Sequence, residues 1–98
     1  MTAAAIMTDT HAMARATIRN QRGLHARAAA KFVKLAGSFD AEVTVWANGT
    51  EVPGSSILGL MMLAASTGCE LLLIAKGRQA QAAADALAAL IENKFDED

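Results

Sequence analysis

The sequence has no tyrosine, one tryptophan and three phenylalanines. That scarcity of rings argues against a sheet that reads RNA by stacking bases, which needs exposed aromatic platforms. It has one cysteine, Cys69, so an internal disulfide is excluded and a cytoplasmic protein is the simpler expectation. It has no surplus of positive charge: nine Lys and Arg stand against ten Asp and Glu. A phosphate-backbone binder needs a basic face, so nucleic acid is not an expected partner. No hydrophobic run approaches the roughly 20 residues that span a bilayer. The opening MTAAAIMTDTHA has no basic segment and carries Asp9, which is unlike a signal peptide.

What is present fits one small domain of 98 residues. Hydrophobic residues make up 53% of the chain, and so many are alanine that the expected core is closely packed helix rather than bulky aromatic. Residues 1–12 read as a flexible extension and 13–98 as the domain. A first strand is expected over 13–19, then a loop NQRG (20–23) ending in a turn glycine. From His25 to Ala36 the period becomes helical, with Ala29, Phe32, Val33 and Ala36 on one face and Lys31 and Lys34 off it as a solvated face. Gly37 reads as a C′ glycine ending that helix. AEVTVWA (41–47) alternates, with Val43 and Val45 facing one way and Glu42, Thr44 and Trp46 the other. Asn48-Gly49 signals a tight hairpin with a short return strand over 50–52, closed by Pro53. Ser56 suits an N-cap for a helix over 57–67 ended by Gly68. ELLLIAK (70–76) reads as a strand. A last helix over about 79–93 turns Ala83, Leu87, Leu90 and Ile91 to the core, leaving FDED as a short acidic tail. The order β-α-β-β-α-β-α with one certain hairpin implies an α+β open-faced sandwich: a four-stranded antiparallel sheet with three helices on one face.

GLHARAAAKFV (23–33) carries the most chemistry. It places a histidine at the first position of a helix, after a turn glycine, with Arg27 two residues on. The first amides of a helix lack internal partners and the helix dipole is positive there, so an anion is stabilised at that point. A neutral ring nitrogen of His25, open to water, could attack a phosphoryl group, and the doubly charged product would face free amides and Arg27. The alternative is a surface histidine that caps a helix. No second acid, base or metal-ligand cluster accompanies His25, so neither a hydrolase site nor a cofactor is expected.

The stretch SILGLMMLAA (56–65) is apolar nearly all round. Such a helix is either buried, to which composition by itself leans, or exposes Leu58, Met61 or Met62 as a docking surface, for which methionine is well suited. Cys69 reads as a small buried hydrophobe, Trp46 as sheet packing and His11 as incidental.

GLHAR followed by SSILGLMMLA resembles the HPr family, the histidine-containing phosphocarriers of bacterial phosphotransferase systems, over about residues 13–98. GSFDAEV (37–43) and the ending FDED resemble its nitrogen-related branch, NPr. The resemblance implies a stoichiometric phosphoryl carrier rather than an enzyme. It implies that His25 takes phosphate on Nδ1 from enzyme I at the expense of phosphoenolpyruvate and passes it to an EIIA-type protein, with Arg27 stabilising the phosphate. It further implies that Ser56 matches a serine phosphorylated in some lineages by HPr kinase/phosphorylase, and that Ile57, Leu58 and Met61 dock the partners of a monomeric chain. One position departs: where the family has proline after the arginine, this chain has Ala28, which restores an amide donor. A docking module that dispenses with His25 and works through Ile57–Met62 is the competing reading.

Overall fold

The structure is a computed structural model and describes residues 11–97. Strand β1 (His11–Thr17), helix α1 (Ala26–Ala36), strands β2 (Glu42–Ala47) and β3 (Thr50–Pro53), helix α2 (Ile57–Met62), strand β4 (Glu70–Lys76) and helix α3 (Ala80–Glu92) follow one another, and a single tight turn (Lys94–Asp96) comes after α3. The four strands form one antiparallel sheet in the order β1-β4-β2-β3. This is the expected open-faced α+β sandwich.

Alternation explains which face is covered. Ala12 and Ala16, Val43 and Val45, Val52, and Leu71, Leu73 and Ala75 point inward and are buried. Register stacks them in rows: Ala16 opposite Leu71, and Val45 between Leu73 and Val52. Helix α3 lies over β1, β4 and β2, and α1 packs against α2 and α3. The helices meet the sheet largely through alanine. Ala28, Ala29, Ala80, Ala83 and Ala84 are fully buried, so backbones approach closely, and Phe32, Leu87 and Ile91 fill what remains. The C-terminal end of α3 is tied to β1, where Glu92 accepts from the Thr17 amide (2.6 Å) and from Arg19 Nε (2.7 Å).

Several expectations need correction. His11 and Ala12, placed in the extension, belong to β1; residues 1–10 of that expected extension lie outside the described residues. Pro53 does not close β3 from outside but is its last residue, opposite Thr44 on the sheet's edge, where no ladder donor is needed. Asn48 and Gly49 both have positive φ (+51° and +77°), as the two-residue hairpin requires. Gly37 stays right-handed (φ −69°), so the left-handed freedom expected of it is unused. Helix α2 stops at Met62 rather than 67, because Ala64 swings to φ +54° with no glycine or proline to announce it. Lys31 is not purely solvated: its Nζ donates to the carbonyl of Phe95 at 2.9 Å.

Leu73 sits fully buried on the central strand β4. Leu73→Ala is expected to cost about 2–5 kcal/mol of unfolding free energy, seen as a lower urea midpoint at unchanged slope.

Candidate functional site

The loop before α1 is held from two sides. Gly23 has φ +69°, and a Cβ there would fall 2.6 Å from the Ala65 carbonyl oxygen, so both backbone angle and close approach require glycine. That approach lets the Leu24 amide donate to Ala65 O at 3.0 Å. Thr67 Oγ1 donates to Asn20 O at 2.5 Å, so the segment after α2 anchors the loop that presents His25.

His25 is the N-cap of α1 rather than its first helical residue. The first intrahelical bond runs from the Ala29 amide to His25 O (2.8 Å), which leaves the amides of Ala26, Arg27 and Ala28 without a helical acceptor. The Arg27 amide donates to His25 Nδ1 at 3.3 Å. An N–H aimed at Nδ1 needs a lone pair there, so Nδ1 is unprotonated. Nε2 lies 2.9 Å from Glu97 Oε2 and carries the proton that this carboxylate accepts. The side chain is 14% exposed. The expected ring open to water is therefore corrected to a ring at the helix start that is mostly covered, with the tail carboxylate on its Nε2 side. Arg27 is exposed, and its guanidinium has no hydrogen bond or ion pair among the described residues.

The apolar helix divides. Leu60 and Leu63 are buried, while Ile57, Leu58, Met61 and Met62 are exposed, Leu58 at 68% and Met62 at 73%. The burial reading of the whole stretch is thus overturned in favour of an exposed patch. Its neighbour α1 is capped by His25, which sets patch and histidine on adjoining elements. Ser56 is half-buried and caps α2, its Oγ accepting from the Gly59 amide at 2.9 Å. Cys69 is half-buried, Trp46 is exposed on the outer face of the sheet and His11 is exposed on β1. Among the described residues no cluster of His, Cys, Asp and Glu could hold a metal ion, and no helix is long and apolar enough to cross a membrane.

Sequence reasoning missed three residues. Asn20, 1% exposed, donates from Nδ2 to Gly23 O (2.8 Å) and to Glu97 Oε1 (2.8 Å). Phe95, read as tail, is fully buried. Its spacing after Leu87 and Ile91 continues the core stripe of α3, a signal that was there to be read. Glu97 had no local signal. Its carboxyl is held below the usual glutamate range, first by the Asn20 hydrogen bond and then by His25. Glu92 is lowered likewise, first by the Thr17 amide and then by Arg19.

The chain is similar to known proteins in sequence and in fold. Residues 13–93 match the family model described as the PTS HPr component phosphorylation site. Phosphocarrier protein NPr of Shewanella violacea is 48% identical over 81 residues, covering 83% of this chain and 89% of its own, which supports the nitrogen-related branch. Phosphocarrier protein HPr of Cupriavidus necator is 51% identical over 81 residues, covering 83% and 91%. Among solved structures, HPr of Thermoanaerobacter tengcongensis superposes with a TM-score of 0.83 at 39% identity, covering 89% of this chain and 98% of that one.

The two lowered glutamates imply a direction with pH. The unfolded chain binds their protons more readily than the native one, so their contribution is complete above the ordinary glutamate range. It is lost as the pH falls through that range and below. Glu92→Gln is expected to lower the urea midpoint at neutral pH, with the gap from wild type closing as the pH falls below the ordinary glutamate range.

Proposed function

This chain belongs to the HPr family of phosphotransferase-system phosphocarriers, and we propose that His25 Nδ1 is the atom that carries its phosphoryl group. The donor is enzyme I and the acceptor an EIIA-type protein. The observation that supports this most is the bond from the Arg27 amide to Nδ1. It keeps the lone pair on the nitrogen that faces the helix start, where the attacking atom must have one.

When Nδ1 bonds to phosphorus, its lone pair is no longer available to the amide. The Arg27 N–H then faces a phosphoryl oxygen, and the amides of Ala26 and Ala28 lie in the same first turn. These donors and the exposed Arg27 guanidinium supply the charge stabilisation on which phosphoryl transfer mainly depends. Ala28 adds an amide that a proline would lack. The protein acts as a stoichiometric carrier and not as an enzyme, with each turnover completed by its partners.

Ile57, Leu58 and Met61, together with Met62, form the docking surface for those partners. Their exposure supports that role, and the thioethers suit a surface that meets several shapes. Ser56 adjoins this patch as the cap of α2. A phosphate on it, added by a kinase, would set negative charge beside an apolar interface and weaken docking through repulsion and desolvation.

Incubation with enzyme I and labelled phosphoenolpyruvate is expected to give an acid-labile label that His25→Ala abolishes with the fold intact. A label that survives acid belongs to a serine. An unchanged acid-labile label in His25→Ala would rule out the assignment of His25. Leu58→Asp is expected to leave His25 able to accept phosphate but to raise the concentration of enzyme I needed, by about tenfold or more for an apolar anchor replaced by a charge. Equal acceptance by both chains across a titration of enzyme I would remove α2 from the interface.

A further inference from the structure

Beyond α3 the chain doubles back through three consecutive residues in the left-handed region: Lys94 (φ +60°), Phe95 (φ +53°) and Asp96 (φ +61°). None is glycine, so each conformation is strained and persists only because its surroundings impose it. The impositions are visible. Phe95 is fully buried, Lys31 Nζ holds its carbonyl at 2.9 Å, and Asn93 Nδ2 donates to Asp96 Oδ1 at 3.0 Å. The turn delivers Glu97 to the ring of His25, 72 residues earlier in the chain. Its carboxylate is gripped on both oxygens, Oε1 by Asn20 Nδ2 and Oε2 by His25 Nε2. Asn20 spends its second amide hydrogen on Gly23 O, in the turn just before His25. Those two donated bonds set the orientation of the amide, whose Oδ1 has no partner among the described residues. The path from Gly23 through Asn20 and Glu97 to Nε2 is therefore continuous.

We propose that Glu97 is a positioning residue for phosphoryl transfer: it holds the His25 ring in the Nε2–H form and balances the positive charge the ring gains when Nδ1 is phosphorylated. The inference rests on His25 being the acceptor. A neutral imidazole can carry its proton on either nitrogen, and only the form with a bare Nδ1 can attack. Glu97 favours that form from the Nε2 side, as the Arg27 amide does from the Nδ1 side. In the step itself the Nδ1 lone pair forms the N–P bond. The bond from phosphorus to the donor breaks, and its electron pair leaves with the donor. No proton leaves the ring, because Nε2–H is retained, so the ring becomes cationic beside the Glu97 carboxylate. A hydrogen bond between charged groups is roughly twice as strong as a neutral one, so the interaction tightens as the product forms. Interactions that strengthen along the reaction are the ones that speed it.

The test compares the full chain with Glu97→Gln, which keeps an acceptor of the same reach without the charge, and Glu97→Asp, which keeps the charge on a shorter arm. Nitrogen-15 shifts of the His25 ring in the unphosphorylated protein read the proton's position, and a tail that merely packs would not move them. Label transfer from enzyme I reads the rate. Glu97→Gln is expected to raise the Nδ1–H population and to slow phosphate acceptance by about five- to tenfold, with Glu97→Asp recovering part of both. Unchanged ring shifts, or an unchanged acceptance rate, in Glu97→Gln would overturn the proposal while leaving His25 as acceptor. A wild-type chain that takes no acid-labile label would instead sink the acceptor assignment, so the two failures are distinct.

Discussion

The amide of Arg27 and the Nδ1 atom of His25 meet at the start of α1, and the proposed phosphoryl transfer depends on that contact. A helix cannot satisfy its own first amides, so something outside must accept from them. Serine, threonine, aspartate or asparagine usually does so. Here the acceptor is an imidazole nitrogen, which is also a nucleophile. One unsatisfied donor thus favours the tautomer that the proposed transfer needs, and on that proposal it turns to the phosphoryl group afterwards.

Much of the remaining fold serves to keep that contact in place. Gly23 permits a turn that presses the loop against the Ala65 carbonyl. Alanine on the buried faces of α1 and α3 lets two helices lie close to the sheet with little side-chain entropy lost. Because the layers are thin, few large residues secure them. Phe32, Phe95, Leu73 and Leu87 carry much of the apolar burial.

A second consequence of the thin core is that apolar surface is left over. Leu60 and Leu63 are enough to seat α2, and Ile57, Leu58, Met61 and Met62 remain in contact with water. An apolar helix that could have been core is divided by its shallow seat into an anchor and a patch. The cost of exposing those side chains is offset if partners cover them in turn. A carrier that must meet both a donor and an acceptor would use such a surface.

Local rules read much of this from the chain. Alternation at Glu42–Ala47 and Glu70–Lys76, the Asn48-Gly49 turn and the helical period after His25 each act over a few residues, so the element order, the buried faces of the strands and the candidate pair His25 and Arg27 could be read directly. Other features depended on contacts between distant segments. The early end of α2 at Met62, followed by the positive φ of Ala64, has no breaker residue in the sequence to announce it. Which leucines of α2 are buried depends on where that helix is laid down. The left-handed turn at Lys94–Asp96, the burial of Phe95 and the Glu97 carboxylate on the His25 ring exist only once α3 has docked on β1 and β4 and α1 has supplied Lys31. By itself the sequence determined the elements and singled out His25 as the candidate acceptor, because hydrogen-bonding and periodicity are local. Tertiary structure alone decided what covers that histidine and what α2 leaves exposed, because both depend on the distance and direction between elements far apart in the chain.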